Sequence, residues 1–233
     1  QSTRVSGRGQ STVSTGGYAW ECLVAWYLNF LFIGSRGIAI KNSLAPKVVK
    51  NSLSVNYGTF KSNTESDIIV IVFPEQNNFS IDYNRLNIHD ENGNDMPTII
   101  RNRANIKNLI NRLTSIHAEE LEVGTIQCKT NWNDNAQIPM LWNMIYLSNG
   151  FNEGNISIGC EGSTINDFEK FTYSFVTVPS NRSDVYKATS TSVNRVRNLT
   201  GGNFWGKPTE SQIAQSIKEI FNRNFSSAFS NSH

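Results

Sequence analysis

The stretch "DIIVIVF", residues 67–73, is apolar at every position after Asp67 and β-branched at most of them. A short run with no polar face predicts a central strand covered on both sides. Residues 98–116 follow a different period. Ile99, Ile106, Ile110 and Leu113 form one stripe, with Arg101, Asn105, Asn108 and Arg112 opposite. That spacing predicts an amphipathic helix. "LEVGTIQCKT" then reads as a strand, followed by a polar run through Asn135 and a helix over 137–147. Pro139 is tolerated there because it falls in the first turn. Further strands are expected near 155–159 and 170–178, with "HDENGNDMP" as a turn.

Toward the N-terminus, residues 1–17 are mostly Gly, Ser and Thr with Arg4 and Arg8, which predicts a flexible arm. A buried helix is expected from Tyr18 to Ile33, stopped by Gly34. Its apolar run "CLVAWYLNFLFI" is too short to span a bilayer and contains Asn29. "NSLAPKVVKNSL" reads as a short helix or an irregular connection. Residues 180–206 are rich in Ser, Thr, Asn and Arg, and no element is assigned to them. A last helix is expected from Thr209, with Thr209 and Gln212 at capping-box spacing and Ile213, Ile217 and Ile220 facing the core. The pattern predicts an α/β chain: an arm over 1–17, then a single domain over 18–233 with a central mixed β-sheet flanked by helices.

Composition narrows the chemistry. The chain has 233 residues, 38% hydrophobic and 17% charged, with net charge +2. This balance permits a polyanionic partner without arguing for one. Cys22, Cys128 and Cys160 are too few and too scattered for a disulfide framework or a CxxC zinc site, and suit a reducing cytoplasm. His89, His117 and His233 are equally scattered, which leaves little for a histidine-based metal site or triad.

The polar groups that need explaining stand at strand ends. In an extended strand Gln127 and Lys129 share one face, while Ile126 and Cys128 share the other. Asp67 opens the apolar strand. If the two strands are neighbours, Asp67, Gln127, the Cys128 carbonyl and Lys129 converge at one sheet edge. Oxygen donors of this kind suit Mg²⁺, and a lysine beside them can orient a water or steady phosphate charge. Glu21 is the sole charged residue of the first helix, on the stripe of Val24, Ala25 and Leu28. A buried glutamate is rare unless it is paired or bound to metal. Each residue also has an ordinary alternative: Glu21 at a helix start, Asp67 as a strand cap, Lys129 and Gln127 as solvated strand-end residues. Glu65 is a rival to Asp67 for the metal.

This arrangement resembles the PD-(D/E)xK nuclease superfamily, which includes most type II restriction endonucleases. The family's first acid falls on Asp67, here in "SD", and its ExK on Gln127-Cys128-Lys129, similar to the QxK of the Mrr-like branch. Many members also carry a glutamate on the preceding helix, which falls on Glu21. The resemblance implies a restriction-endonuclease-like fold and Mg²⁺-dependent hydrolysis of phosphodiester bonds in double-stranded DNA at a specific sequence. It implies Glu21, Asp67, Gln127 and the Cys128 carbonyl as metal ligands, and Lys129 as the residue acting on the nucleophile. Asn131, Asn133, Arg195 and Arg197 have the chemistry to meet DNA. A palindromic target would call for a homodimer. Two alternatives stay open: an Mrr-like or repair nuclease recognising DNA structure or modification, and a noncatalytic DNA-binding or interaction protein.

Overall fold

The computed structural model describes residues 10–64, 66–75, 88–96, 102–130, 156–178, 189–206 and 213–229. Helix α1 (Gln10–Leu31) leads into β1 (Gly37–Lys41), then α2 (Lys47–Ser52), β2 (Val55–Tyr57), β3 (Phe60–Ser62) and β4 (Ile68–Val72). Helix α3 (Arg103–Ile116) precedes β5 (Glu122–Lys129) and β6 (Ile156–Ile158). After these come β7 (Lys170–Thr177), α4 (Thr191–Leu199), β8 (Phe204–Trp205) and α5 (Ile217–Phe225).

The main sheet has the order β1-β4-β5-β7-β8. β1 and β5 both run antiparallel to β4, whereas β7 is parallel to β5 and β8 to β7. This is a mixed α/β architecture, with a second sheet of order β3-β2-β6 beside it. Alternation along β4 explains its unbroken apolar run. Ile68, Val70 and Val72 pack with Val24 and Leu28 of α1, with Phe32 just after it, and with Phe221 and Phe225 of α5. Ile69 and Ile71 point the other way, onto Val49 of α2 and Leu109, Ile110 and Leu113 of α3. A strand covered by helices on both faces needs no polar side. In β5, Gly124 leaves room for α5, since a Cβ there would stand 2.4 Å from Cζ of Phe225.

Several boundaries differ from the sequence reading. α1 starts at Gln10, not near Tyr18, so part of the expected arm is helical. α3 starts at Arg103, where the Asn102 side chain accepts from the Asn105 N–H at 3.0 Å. The polar segment before "GGNFW" contains α4. Val193, Val196 and Thr200 recur there at helical spacing, and Val193 and Thr200 are buried, a stripe diluted by the surrounding Ser, Asn and Arg. The last helix starts at Ile217, with Ser216 as its cap through the Glu219 N–H. Ile213 is buried ahead of it, and Thr209 and Gln212 lie outside the described residues. The 137–147 helix, with Trp142 and Tyr146, also lies outside them. Among the described residues no helix is long and apolar enough to cross a membrane.

Candidate functional site

The β4–β5 register, with Ile68 opposite Ile126, brings Asp67 beside Gln127 although they are 60 positions apart. The Asp67 N–H donates to the Ile126 carbonyl at 3.2 Å. The Asp67 carboxylate then continues the ladder in place of main chain. Its Oδ2 accepts from the Cys128 N–H at 2.7 Å and from the Gln127 amide at 2.6 Å. Neighbouring strands hold the residue from its other side, where the Asn42 N–H donates to the Asp67 carbonyl at 3.0 Å. The Asn42 amide also reaches the Thr64 carbonyl at 3.1 Å, and the Thr64 hydroxyl bonds Ser66 at 3.0 Å.

Gln127 is only 2% exposed, so it is no solvated strand-end amide. Cys128 points to the opposite face, packed with Ile126 and Val176. Burial, reinforced by the Asp67 charge, pushes its thiol well above the ordinary range, so the sulfur stays neutral. In an extended strand the N–H and C=O of one residue point toward the same neighbour. The Cys128 carbonyl therefore faces the Asp67 side.

Glu21 stands on the third element. Val24, Ala25 and Leu28 are buried as its stripe predicts, and Glu21 itself pairs with Lys41 at 2.6 Å. Lys41 ends β1, one strand over from β4, and its ammonium also sits 3.7 Å from the centroid of the Tyr18 ring. Tyr18 and Glu21 are i and i+3 on α1, so one helix face supplies both a carboxylate and an aromatic face for the same cation. Burial works to lower the Lys41 pKa, but the Glu21 hydrogen bond and charge overcome it and the net shift is upward. The sequence reading missed Lys41. Its signal was "GIAIK", a short β-branched strand ending in a charge, which went unassigned.

These charges meet at Asp67. Its pKa is raised from 3.8 to about 6 in all, with burial the largest cause. The Glu21 carboxylate also pushes it up, while the Cys128 N–H, Lys129 and Lys41 pull it back. Lys129 is half-buried at the end of β5, on the Gln127 face, and its carbonyl accepts from the Val178 N–H at 3.2 Å. No protein-family model matches the chain, and a search of curated proteins finds no match.

Asp67 thus touches Gln127 and the Cys128 N–H, and the charges of Glu21, Lys129 and the unanticipated Lys41 reach it. Among the described residues no three His, Cys, Asp or Glu side chains cluster as a metal site. The donors here are two carboxylates, an amide and a main-chain carbonyl, all with hard oxygens of the type Mg²⁺ takes. Asp67 Oδ1 accepts no hydrogen bond from a described residue, and the desolvated carboxylate would gain from a cation. The fit has one condition. Gln127 now turns its NH₂ group to Asp67, and Glu21 is held by Lys41, so both must reorient to give oxygen to a metal.

The expected DNA contacts are less developed. Asn131, Asn133 and Glu65 lie outside the described residues, as does the Arg195 side chain. Arg197 sits in the last turn of α4 and donates to Asn194 at 2.8 Å, away from the Asp67 contacts.

Proposed function

We propose that this chain is a Mg²⁺-dependent endonuclease of the PD-(D/E)xK kind, with a restriction-endonuclease-like core, acting on double-stranded DNA at a specific sequence. The observation that supports it most is the contact between Asp67 and Gln127 across neighbouring strands, with Glu21 close enough for its charge to reach Asp67. Chance motif residues 60 positions apart have no reason to touch. A mixed sheet whose third strand carries the QxK, flanked by helices, is the scaffold this reading requires.

Glu21, Asp67, Gln127 and the Cys128 carbonyl would hold the metal. Bound Mg²⁺ would supply a water acidic enough to attack phosphorus. Lys129 would hold that nucleophile in line or steady the developing charge on the phosphoryl oxygens, an effect exerted mainly in the transition state. Lys41 keeps Glu21 in place and offsets its charge until the metal arrives.

The test is plasmid incubation with Mg²⁺ and, in parallel, with EDTA. Discrete fragments formed only with Mg²⁺ fit a sequence-specific enzyme. A smear would move the assignment to a structure- or modification-directed nuclease. Plasmid left intact with Mg²⁺ and with Mn²⁺ would leave a noncatalytic binding protein.

A further inference from the structure

Lys61 and Cys160 are 99 positions apart and meet on the smaller sheet, where the lysine Nζ lies 2.8 Å from the cysteine Sγ. Neither side chain takes part in the Asp67 contacts. An N–H···O bond holds its heavy atoms about 2.7–3.2 Å apart, and sulfur is a larger atom than oxygen. The amine and the thiol are therefore closer than a hydrogen bond to sulfur needs.

Strand register builds this contact. Asn56 of β2 lies opposite Lys61 on β3 and opposite Ser157 on β6, so the three side chains share one face. The Asn56 amide donates to the Ser157 hydroxyl at 3.1 Å and to the Gly159 carbonyl at 2.8 Å, which ties that face to the chain beyond β6. There the backbone turns sharply. Gly159 has φ +82°, and a Cβ on it would stand 2.0 Å from the Ser163 carbonyl oxygen, so glycine is required. The main chain of Cys160 is held twice: its N–H donates to the Asn51 carbonyl at 3.1 Å, and its carbonyl accepts from the Ser163 N–H at 3.0 Å. Beside it Glu161 pairs with Lys47 at 2.8 Å and accepts from the Asn51 amide at 3.2 Å. The thiol is thus fixed in place, yet Cys160 is only partly buried and Lys61 is exposed. A water-sized oxidant can reach the sulfur.

We propose that Cys160 and Lys61 form a peroxide-dependent covalent link, a sulfenamide joining β3 to the turn after β6. The Cys160 sulfur first attacks hydrogen peroxide. The O–O bond breaks, sulfur takes a hydroxyl as a sulfenic acid, and the thiol proton leaves with the other hydroxyl as water. Sulfur loses two electrons and the peroxide gains them. The Lys61 nitrogen then attacks that sulfur, forming the S–N bond as the S–O bond breaks. One ammonium proton leaves with the hydroxyl as a second water, the other passes to solvent, and no further oxidant is consumed. A thiol reductant restores the amine and the thiol and is itself oxidised to a disulfide. The link closes a long loop of the unfolded chain, so it stabilises the fold. It uses neither DNA nor metal and is independent of the nuclease reading.

The test treats the reduced full chain with a small excess of hydrogen peroxide in EDTA, then digests it without reductant for mass spectrometry. The parent should yield the Lys61 and Cys160 peptides joined, lighter by two hydrogen atoms than their sum, and dithiothreitol should separate them. Peroxide should also raise the parent's unfolding temperature, and dithiothreitol should return it. Cys22→Ser should keep the link, and Cys160→Ser should lose it. Lys61→Arg keeps a cation beside the sulfur, but a guanidinium stays charged and forms no such bond. That variant should fold as the parent does, give no link and show no rise in unfolding temperature, its sulfenic acid remaining open to capture by dimedone. The same capture in the parent, with no linked peptide, overturns the proposal. So does a link that carries an extra oxygen atom, or one that forms equally in urea, where proximity in the fold is lost.

Discussion

Lys41 and Glu21 are joined at 2.6 Å across the gap between α1 and β1, and both charges are felt by Asp67, which makes neither bond. The pair holds a carboxylate near a second, desolvated carboxylate, which also feels the Lys129 charge. Lys41→Met should therefore lower stability in EDTA by on the order of 1 kcal/mol, as for a partly exposed pair that loses one partner. It should also enlarge the rise in unfolding temperature on adding Mg²⁺. In Glu21→Gln/Lys41→Met the stability loss should largely disappear. Equal metal responses in the parent and Lys41→Met would show that Lys41 does not compete with a metal.

The Asp67 carboxyl is raised to about 6, above its value near 4 in an unfolded chain. Between those pH values the folded protein binds more protons than the unfolded one. Asp67's contribution to stability is thus greatest at low pH and falls as pH rises from about 4 to about 6. Asp67→Asn removes this burden while keeping an acceptor for the Cys128 N–H. Urea unfolding in EDTA should show no gain for the variant at pH 4 and a gain of up to roughly 3 kcal/mol at pH 7.5. Its Mg²⁺-dependent cleavage should be lost. A gain that does not change with pH would contradict the desolvated carboxyl.

Gln127 donates to the same oxygen that Asp67 presents to the Cys128 N–H. Gln127→Glu restores the residue usual in the resembled family but replaces that donor with a like charge. Metal-free stability at pH 7.5 should drop by about 1–3 kcal/mol, the loss shrinking toward pH 5 as the pair takes up a proton. Calorimetry should show Mg²⁺ or Ca²⁺ binding more tightly than in the parent. Unchanged metal affinity would mean that residue 127 is not a ligand.

Lys129 separates chemistry from binding. Lys129→Ala should cut DNA at least about a thousandfold more slowly in single turnover, roughly 4 kcal/mol of barrier, with gel-shift affinity nearly unchanged. Lys129→Arg should recover little, because a planar fork does not replace a compact ammonium. Parental cleavage by Lys129→Ala would remove the nuclease assignment at this motif.

Local pattern alone was enough to recognise the elements that carry Glu21, Asp67 and the Gln127–Lys129 motif, though not the strand that ends in Lys41. The unbroken apolar run of β4 requires a strand covered on both faces, and alternation in "TIQCKT" separates buried Cys128 from the Gln127–Lys129 face. Glu21 on an apolar stripe announced a paired or ligating carboxylate for the same reason, since its neighbours at i+3, i+4 and i+7 had to be buried. Where neighbours in sequence did not decide, the reading ran out. Helix α4 was hidden because few of its positions are apolar, and α1 begins earlier than a segment of Gly, Ser and Thr suggests.

Only the tertiary structure determined what touches Asp67. Strand pairing joins residues far apart in sequence, and alternation sets the face of a side chain but not the partner strand or the register. With Ile68 opposite Ile126, Asp67 meets Gln127; a slip of one residue would have turned them to opposite faces. Placing β1 beside β4 carries Lys41 to Glu21 and makes the helix glutamate half of an ion pair, which no property of "GIAIK" or "YAWEC" taken singly implies. The raised Asp67 carboxyl has the same origin, because burial and the three surrounding charges arise from four elements that meet only when the chain is folded.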